Sequence, residues 1–333
     1  MDNAKLSRRE SLGLGAVAIG AATIPALAQG ARSSNPNFVT KIDFKNPIWN
    51  RDTYARMDGE LDVSKQKVSR INGKVYGVRD HEKVRPLFIM DGFSVVRTIR
   101  LPDGNFRRLL KEMVFYRDIE TGKIMETWHN PYTNEDVKVV PIANDPYNYD
   151  IRDTKPQPPS YGGLNKETRK PEPFLLNWTD GPDGTLILET GIDLFYPAAL
   201  QPDKWPREAA GTMNRVSEHF LFFVKRKDVE NPRLTALPVT GSWSRITPWL
   251  PWMLMGQAPG FINYFASFGT MTNGLAGLPA DMIAAAKAIN PGFLEAPKED
   301  YGPSLSSLEN YIKTQKPAPV PPGWTPPVPP GAK

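Results

Sequence analysis

Between residues 67 and 227 apolar side chains recur mostly at every second position. The runs are closed by tight turn signals, Pro102-Asp103-Gly104, Glu120-Thr121-Gly122 and Asp180-Gly181-Pro182-Asp183-Gly184. Period-two alternation marks a β-strand with one face turned to a core, and successive strands joined by such short turns must run antiparallel. The pattern predicts strands over 68–78, 87–100, 106–117, 123–129, 137–141, 174–178, 185–195 and 213–225. Eight or more antiparallel strands leave open edges that invite aggregation unless the sheet closes or doubles. The expected fold is therefore mainly β, an antiparallel, barrel-like (calycin-like) sheet around an interior cavity. Thirty-four prolines against 26 glycines argue in the same direction, against a chain built of long helices.

Three segments frame that sheet. Residues 144–173 are polar and proline-rich, and a connection this long predicts a lid loop over a cavity mouth, with Tyr147, Tyr149 and Tyr161 facing it. After Trp243 the run Thr247-Pro248-Trp249-Leu250-Pro251-Trp252-Met253-Leu254-Met255-Gly256 is dense in large apolar groups, and 279–289 reads as a short helix. Both are expected to cap the sheet. Residues 317–333 form a proline-rich tail of extended polyproline type, either a solvated end or a ligand for a partner. The domain between is read as one β-rich unit, 29–316.

The first 28 residues read as an address. A polar start holds Ser7-Arg8-Arg9-Glu10-Ser11-Leu12, a mildly apolar Gly/Ala-rich run follows over 13–24, and Pro25-Ala26-Leu27-Ala28 ends in a small-x-small cleavage pattern. An arginine pair before a weakly hydrophobic core is the twin-arginine form of export signal, and the apolar run is short of the ~20 residues that span a bilayer. Cleavage after Ala28, export through the twin-arginine translocase with signal peptidase as the processing partner, and a periplasmic protein with no stable membrane span are expected.

Composition removes several function classes. The formal charge is +5, unclustered, on a chain 40% hydrophobic, which excludes a disordered chain and a nucleic-acid binder recognised by charge alone. Cysteine is absent, so disulfides, thiolate metal sites and cysteine nucleophiles drop out together. The only histidines are His81, His129 and His219. A metal centre would have to gather Glu112, His129, Glu189, Asp193 and His219 with no local spacing to support it, so neither metal nor other cofactor is expected. Glycine-rich phosphate loops, a serine elbow and a dinucleotide fingerprint are missing.

The chemistry that remains centres on residues 106–140. A hairpin closed symmetrically about Glu120-Thr121 sets Glu112 opposite His129, on one face with Val114, Tyr116, Met125 and Thr127. A carboxylate opposite an imidazole fixes the tautomer and raises its basicity, the arrangement of a general base; the plainer reading is an exposed cross-strand ion pair. Around it, Trp128-His129-Asn130-Pro131-Tyr132 gathers aromatic and amide groups suited to a small ligand, though Asn130-Pro131 is also a good turn. Arg97 shares parity with Phe93, Val95 and Ile99, so it needs an acceptor, either a ligand anion or a protein carboxylate. His219 is either a buried histidine satisfied by backbone or a second acid–base group converging on His129. The candidate site is thus His129, Glu112 and His219 for catalysis, with Arg97, Tyr116, Trp128, Asn130 and Asn144 for substrate.

These segments together resemble a bacterial family catalogued as domain of unknown function 1838. The resemblance runs from about residue 43 to 312. It is carried by Gly73-Lys74-Val75-Tyr76-Gly77, Glu112 with Tyr116-Arg117-Asp118, Thr127-Trp128-His129-Asn130-Pro131-Tyr132, Asn144-Asp145-Pro146 and Pro251-Trp252-Met253-Leu254-Met255-Gly256. It implies secreted bacterial proteins of one domain and no particular catalytic role. The expectation is a periplasmic protein that binds a small apolar or aromatic molecule and performs cofactor-independent acid–base chemistry of lyase, hydratase or isomerase type. The alternatives are a non-catalytic carrier of a lipid or aromatic ligand, and a structural protein acting through its proline tail.

Overall fold

The computed structural model describes residues 38–143, 148–157, 168–300 and 307–329. The segment expected to be an export signal, and Asn144, Tyr147 and Tyr161, lie outside the described residues.

The chain enters through helix α1 (Pro47–Asp58), a segment the strand pattern gave no hint of. Its start is nonetheless written locally: Asn46 Oδ1 accepts from the backbone of Ile48 at 2.9 Å and Trp49 at 3.2 Å, and Pro47 occupies the first turn, where its missing N–H costs nothing. Strands β1 (Lys67–Val78), β2 (Arg85–Arg100) and β3 (Phe106–Arg117) follow as a meander. A detached hairpin, β4 (Thr127–Asn130) with β5 (Glu135–Lys138), comes next, then the short edge strands β6 (Ile142–Ala143) and β7 (Tyr149–Ile151), both on β3. A second meander is formed by β8 (Asn177–Asp180), β9 (Thr185–Pro197), β10 (Met213–Lys225), β11 (Thr240–Thr247) and β12 (Phe261–Thr270), with a single helical turn α2 (Arg226–Val229) between β10 and β11.

β1 pairs with β12 and welds the meanders into one ten-stranded antiparallel sheet, ordered β6-β3-β2-β1-β12-β11-β10-β9-β8, with β7 beside β6 on the edge of β3 as the tenth strand. At that weld Gly73 faces Ala266, and a Cβ there would lie 2.0 Å from the carbonyl oxygen of Phe265, so only glycine permits the approach. Among the described residues no pairing joins β8 to β6, and the expected closure into a barrel does not occur. The sheet still curls. Ile142 of β6 and Ile192 of β9 line one cavity, yet they stand seven strands apart, ~34 Å along a flat sheet.

Two differences from the sequence pattern have plain causes. Residues 240–247 and 261–270, for which no strand was expected, supply the central strands β11 and β12, while most of the apolar run expected to cap the sheet, 247–256, lies in the connection between them. In β12 both faces carry apolar groups, Ile262, Tyr264 and Phe268 inward and Phe261 and Phe265 outward, so the alternation is masked. The hairpin after β3 begins in the expected register, with Arg117 bridged to Ile124 and the Met125 amide donating to the Tyr116 carbonyl at 2.9 Å. It then peels away, because Ile142 of β6 takes the place beside Val114 that Thr127 would have needed.

The back of β1–β3 carries Val68, Phe93, Val95, Met113 and Phe115, covered by helix α3 (Ala280–Ile289) through Met282 and Ala286 and by Phe293 just beyond it. That helix caps the sheet as expected. The tail does not stand free. Its Ala318 amide donates to Glu208 at 2.6 Å, Arg207 donates to the Pro319 carbonyl at 3.1 Å, and the Arg207 guanidinium stacks on Trp324 at 5.4 Å.

Candidate functional site

On the concave face, side chains from β1, β2, β3, β6, β7 and β9–β12 surround a cavity of about 270 Å³, closed partly by Tyr54 and Asp58 of α1 and by Ser307 at the start of helix α4 (Ser307–Thr314). A second hollow of about 220 Å³ shares Asp58, Arg108, Glu112, Phe220 and Phe222 with it, and a third of about 250 Å³ shares Ile142 and Ser307. Period-two alternation decides who enters. Arg108, Glu112 and Val114 point inward from β3, and Glu218, Phe220 and Phe222 point inward from β10.

Four charged groups face the cavity in two pairs. At one end the Arg108 Nε approaches Asp58 Oδ2 at 2.7 Å, Tyr149 donates its hydroxyl to the same carboxylate, and the Arg108 guanidinium lies 5.1 Å from the Tyr149 ring centre. Burial, then the Asp58 charge, pushes the Tyr149 phenol well above its ordinary value, so it stays a donor. At the other end Glu218 accepts from the Trp243 indole at 3.1 Å, with Arg245 3.6 Å from its second oxygen. Tyr264 and Tyr116 lie beside one another here; burial pushes Tyr116 up to about 12 and Tyr264 well above the ordinary range. Glu112 lies opposite Ser94 of β2 and lines both the main cavity and the second hollow.

Lys67 lines the second hollow with its ammonium buried, donating to the Leu237 carbonyl at 2.9 Å and to the Met57 carbonyl at the end of α1. Burial lowers it from 10.5 to about 8. Between those values the unfolded chain holds the proton that the folded chain has lost. Stability contributed by this residue is therefore lowest below pH 8 and rises up to pH 10.5. Urea melts of wild type and Lys67→Met across that window are expected to show the wild type gaining on the variant as pH rises; parallel profiles would refute the shift.

The sequence-derived site comes together only in part. Glu112 faces the cavity. Tyr116 is buried and lines the third hollow, and Trp128 is buried edge-on to Phe88 and Trp252, at 5.5 and 5.8 Å, beside it. His129 does not meet Glu112. It sits on the detached hairpin, 58% exposed, with Nδ1 2.9 Å from Asp136. His219 is on the outward face of β10, against the Ser217 hydroxyl at 3.2 Å. Arg97 is buried on the back of the sheet, where its acceptors are the carbonyls of Lys65, Ala296 and Pro297, neither a ligand nor a carboxylate. Asn130 is wholly buried, donating to the Met253 carbonyl at 2.7 Å and accepting from the Tyr132 amide at 2.9 Å, a structural clasp. Glu189 and Asp193 are exposed on the outer face of β9, and no group of three metal-ligating side chains occurs among the described residues.

The sequence reading missed Asp58, Arg108, Glu218, Arg245 and Tyr264. The same alternation that selected Glu112 also selects Arg108, and Glu218 shares parity with Phe220 and Phe222. Both were legible from spacing. Asp58 and Tyr264 come from segments with no strand or helix expectation.

The fold and cavity define a mainly β, antiparallel protein with a charged and aromatic hollow enclosed by its curled sheet. The chain belongs to the family described as protein of unknown function (DUF1838), whose model matches residues 64–315. No curated protein matches it. No helix among the described residues is long and apolar enough to cross a membrane.

Proposed function

We propose that this chain is an exported periplasmic protein that binds a small apolar or aromatic molecule in the concave cavity and performs cofactor-independent acid–base chemistry on it, of lyase, hydratase or isomerase type. The architecture suits a calycin-like mode of binding, with the ligand wrapped by a curled antiparallel sheet. One observation carries the reading: two carboxylates, Glu112 and Glu218, enter the same largely apolar hollow from different strands, each cavity end also presenting a guanidinium. A carboxylate in such surroundings can take a proton from a bound substrate and return it elsewhere, while arginine balances developing negative charge. The base is thus assigned to Glu112, with Glu218 as its counterpart, and His129 and His219 are left outside the reaction. The export signal Ser7-Arg8-Arg9-Glu10-Ser11-Leu12 supports the location.

A carrier is the second reading, favoured by the state of the other groups. Burial holds the Tyr149 and Tyr264 phenols well above their ordinary value, and the histidines lie elsewhere. Native mass spectrometry of protein from its own host, followed by denaturation, is expected to release a small apolar molecule without a metal. Incubated with that molecule, wild type should turn it over and Glu112→Gln should lose about 10²-fold in kcat, while His129→Ala keeps full rate. Binding with no turnover by wild type establishes the carrier; a released metal or an empty protein overturns both readings.

A further inference from the structure

Arg245 is unlike the other arginines of the protein's interior. Arg56 and Arg97 donate from their terminal nitrogens to backbone carbonyls, Arg117 binds Asp91 and Asp281, and Arg108 meets Asp58 at 2.7 Å. Among the described residues the Arg245 side chain, 31% exposed, makes no hydrogen bond. It pairs with Glu218 at 3.6 Å, whose other oxygen is held by Trp243; its Nε is buried without a partner, as are those of Arg56, Arg79 and Arg207, but its terminal nitrogens, unlike theirs, make no hydrogen bond within the described residues. A guanidinium presents five donors in a fixed planar fork, and a buried donor left unmade is costly, so this one is set for an acceptor that arrives with the ligand.

The charges around it select which acceptor. Three carboxylates, Asp58, Glu112 and Glu218, line the cavity against two guanidiniums, Arg108 and Arg245. A ligand carboxylate would be seated beside Glu218 and deepen that excess, and a ligand ammonium has no lone pair to offer. A neutral carbonyl oxygen satisfies the fork without adding charge. The rest of the ligand would meet Phe220, Phe222, Trp243 and Ile192, which demand an apolar or aromatic body.

We infer that the cavity takes an apolar carbonyl compound, its oxygen anchored by Arg245; the inference rests on the cavity reading above. It also specifies the chemistry. A carboxylate of the cavity breaks a C–H bond next to the carbonyl and takes the proton, the electron pair moves onto the oxygen as an enolate held by Arg245, and return of the proton to carbon restores the carboxylate. No oxidant or co-reactant is consumed.

Four probes with one body and different heads test this: 2-acetylnaphthalene, 2-ethylnaphthalene, 2-naphthoate and 2-naphthylmethylammonium, titrated into wild-type protein by calorimetry. The ketone is expected to bind at least tenfold more tightly than each of the others. Arg245→Met is expected to bring the ketone to the level of 2-ethylnaphthalene while leaving 2-ethylnaphthalene unchanged. With a ¹³C-labelled carbonyl, the bound resonance should move downfield in wild type and return in the variant, a signature that a purely structural arginine would not produce. Equal binding of ketone and hydrocarbon, or tighter binding of the anion or cation, overturns the inference and spares the cavity. Failure of both 2-acetylnaphthalene and 2-ethylnaphthalene to bind overturns the cavity reading itself, and with it the inference. The head-group series on wild type decides the matter even where the variant does not fold.

Discussion

Asp91→Ala is expected to destabilise the protein by about 3–5 kcal/mol, the loss seen when one partner of a buried ion cluster is removed and the other charges stay behind. Asp91 is fully buried on β2 and joins two strands: Arg70 Nε of β1 at 2.8 Å and Arg117 Nε of β3 at 2.6 Å. Arg117 then reaches Asp281 in the first turn of α3, so one carboxylate ties the N-terminal meander to its helical cover. Without it, Arg117, 9% exposed, keeps only the partially exposed Asp281 and the Gly122 carbonyl. For a domain of this size the loss corresponds to a melting temperature lower by roughly 10 °C, read by calorimetry. Asp180→Ala breaks an exposed pair with Arg226 and should cost no more than about 1 kcal/mol. Equal effects of the two substitutions would show that the Asp91 cluster is held no more tightly than a surface pair.

Trp252→Ala is the second large effect, about 3–5 kcal/mol from lost burial plus the cavity left behind. The indole sits in a single 3₁₀ turn, Pro251–Met253, and packs on Phe88, Tyr116 and Trp128 with ring centres 5.3, 5.2 and 5.8 Å away. These rings come from β2, β3 and β4, so no local element can refill the space. The turn itself is closed by Leu254 at φ 56°, a left-handed conformation unfavourable for leucine that persists because the surrounding packing demands it. Since Trp252 and Tyr116 both line the third hollow, the variant should also lose near-ultraviolet circular dichroism and bind apolar dyes more strongly. A melting temperature within about 2 °C of wild type would mean that the aromatic cluster relaxes to fill the gap.

Much of the fold was legible locally. The alternation in 68–78, 87–100 and 106–117, and again in 185–195 and 213–225, names strands whose partners are their sequence neighbours, and in the first three the short connections leave no other pairing open. The same alternation places Glu112 and Glu218 on particular faces, and Asn46-Pro47 marks the start of α1. What stayed hidden depends on who competes for an edge. His129 and Glu112 could be opposed on paper because the hairpin register is set by its turn, and two of its pairs do form. Ile142 and Tyr149, from a distant segment, then claim the edge of β3, and β4 is sent off to pair with β5 instead.

By itself, then, the sequence determined an antiparallel β protein, the faces on which its charged residues fall, and a short helix laid over one side, because alternation and turn chemistry act between residues a few positions apart. That the sheet curls without closing, that β1 lies against β12 nearly two hundred residues away, and that Asp58, Arg108, Glu112, Glu218 and Arg245 share one hollow emerges from the folded chain alone. Those outcomes are settled by long-range edge pairing and by curvature accumulated over many strands, and no window of neighbouring residues contains either.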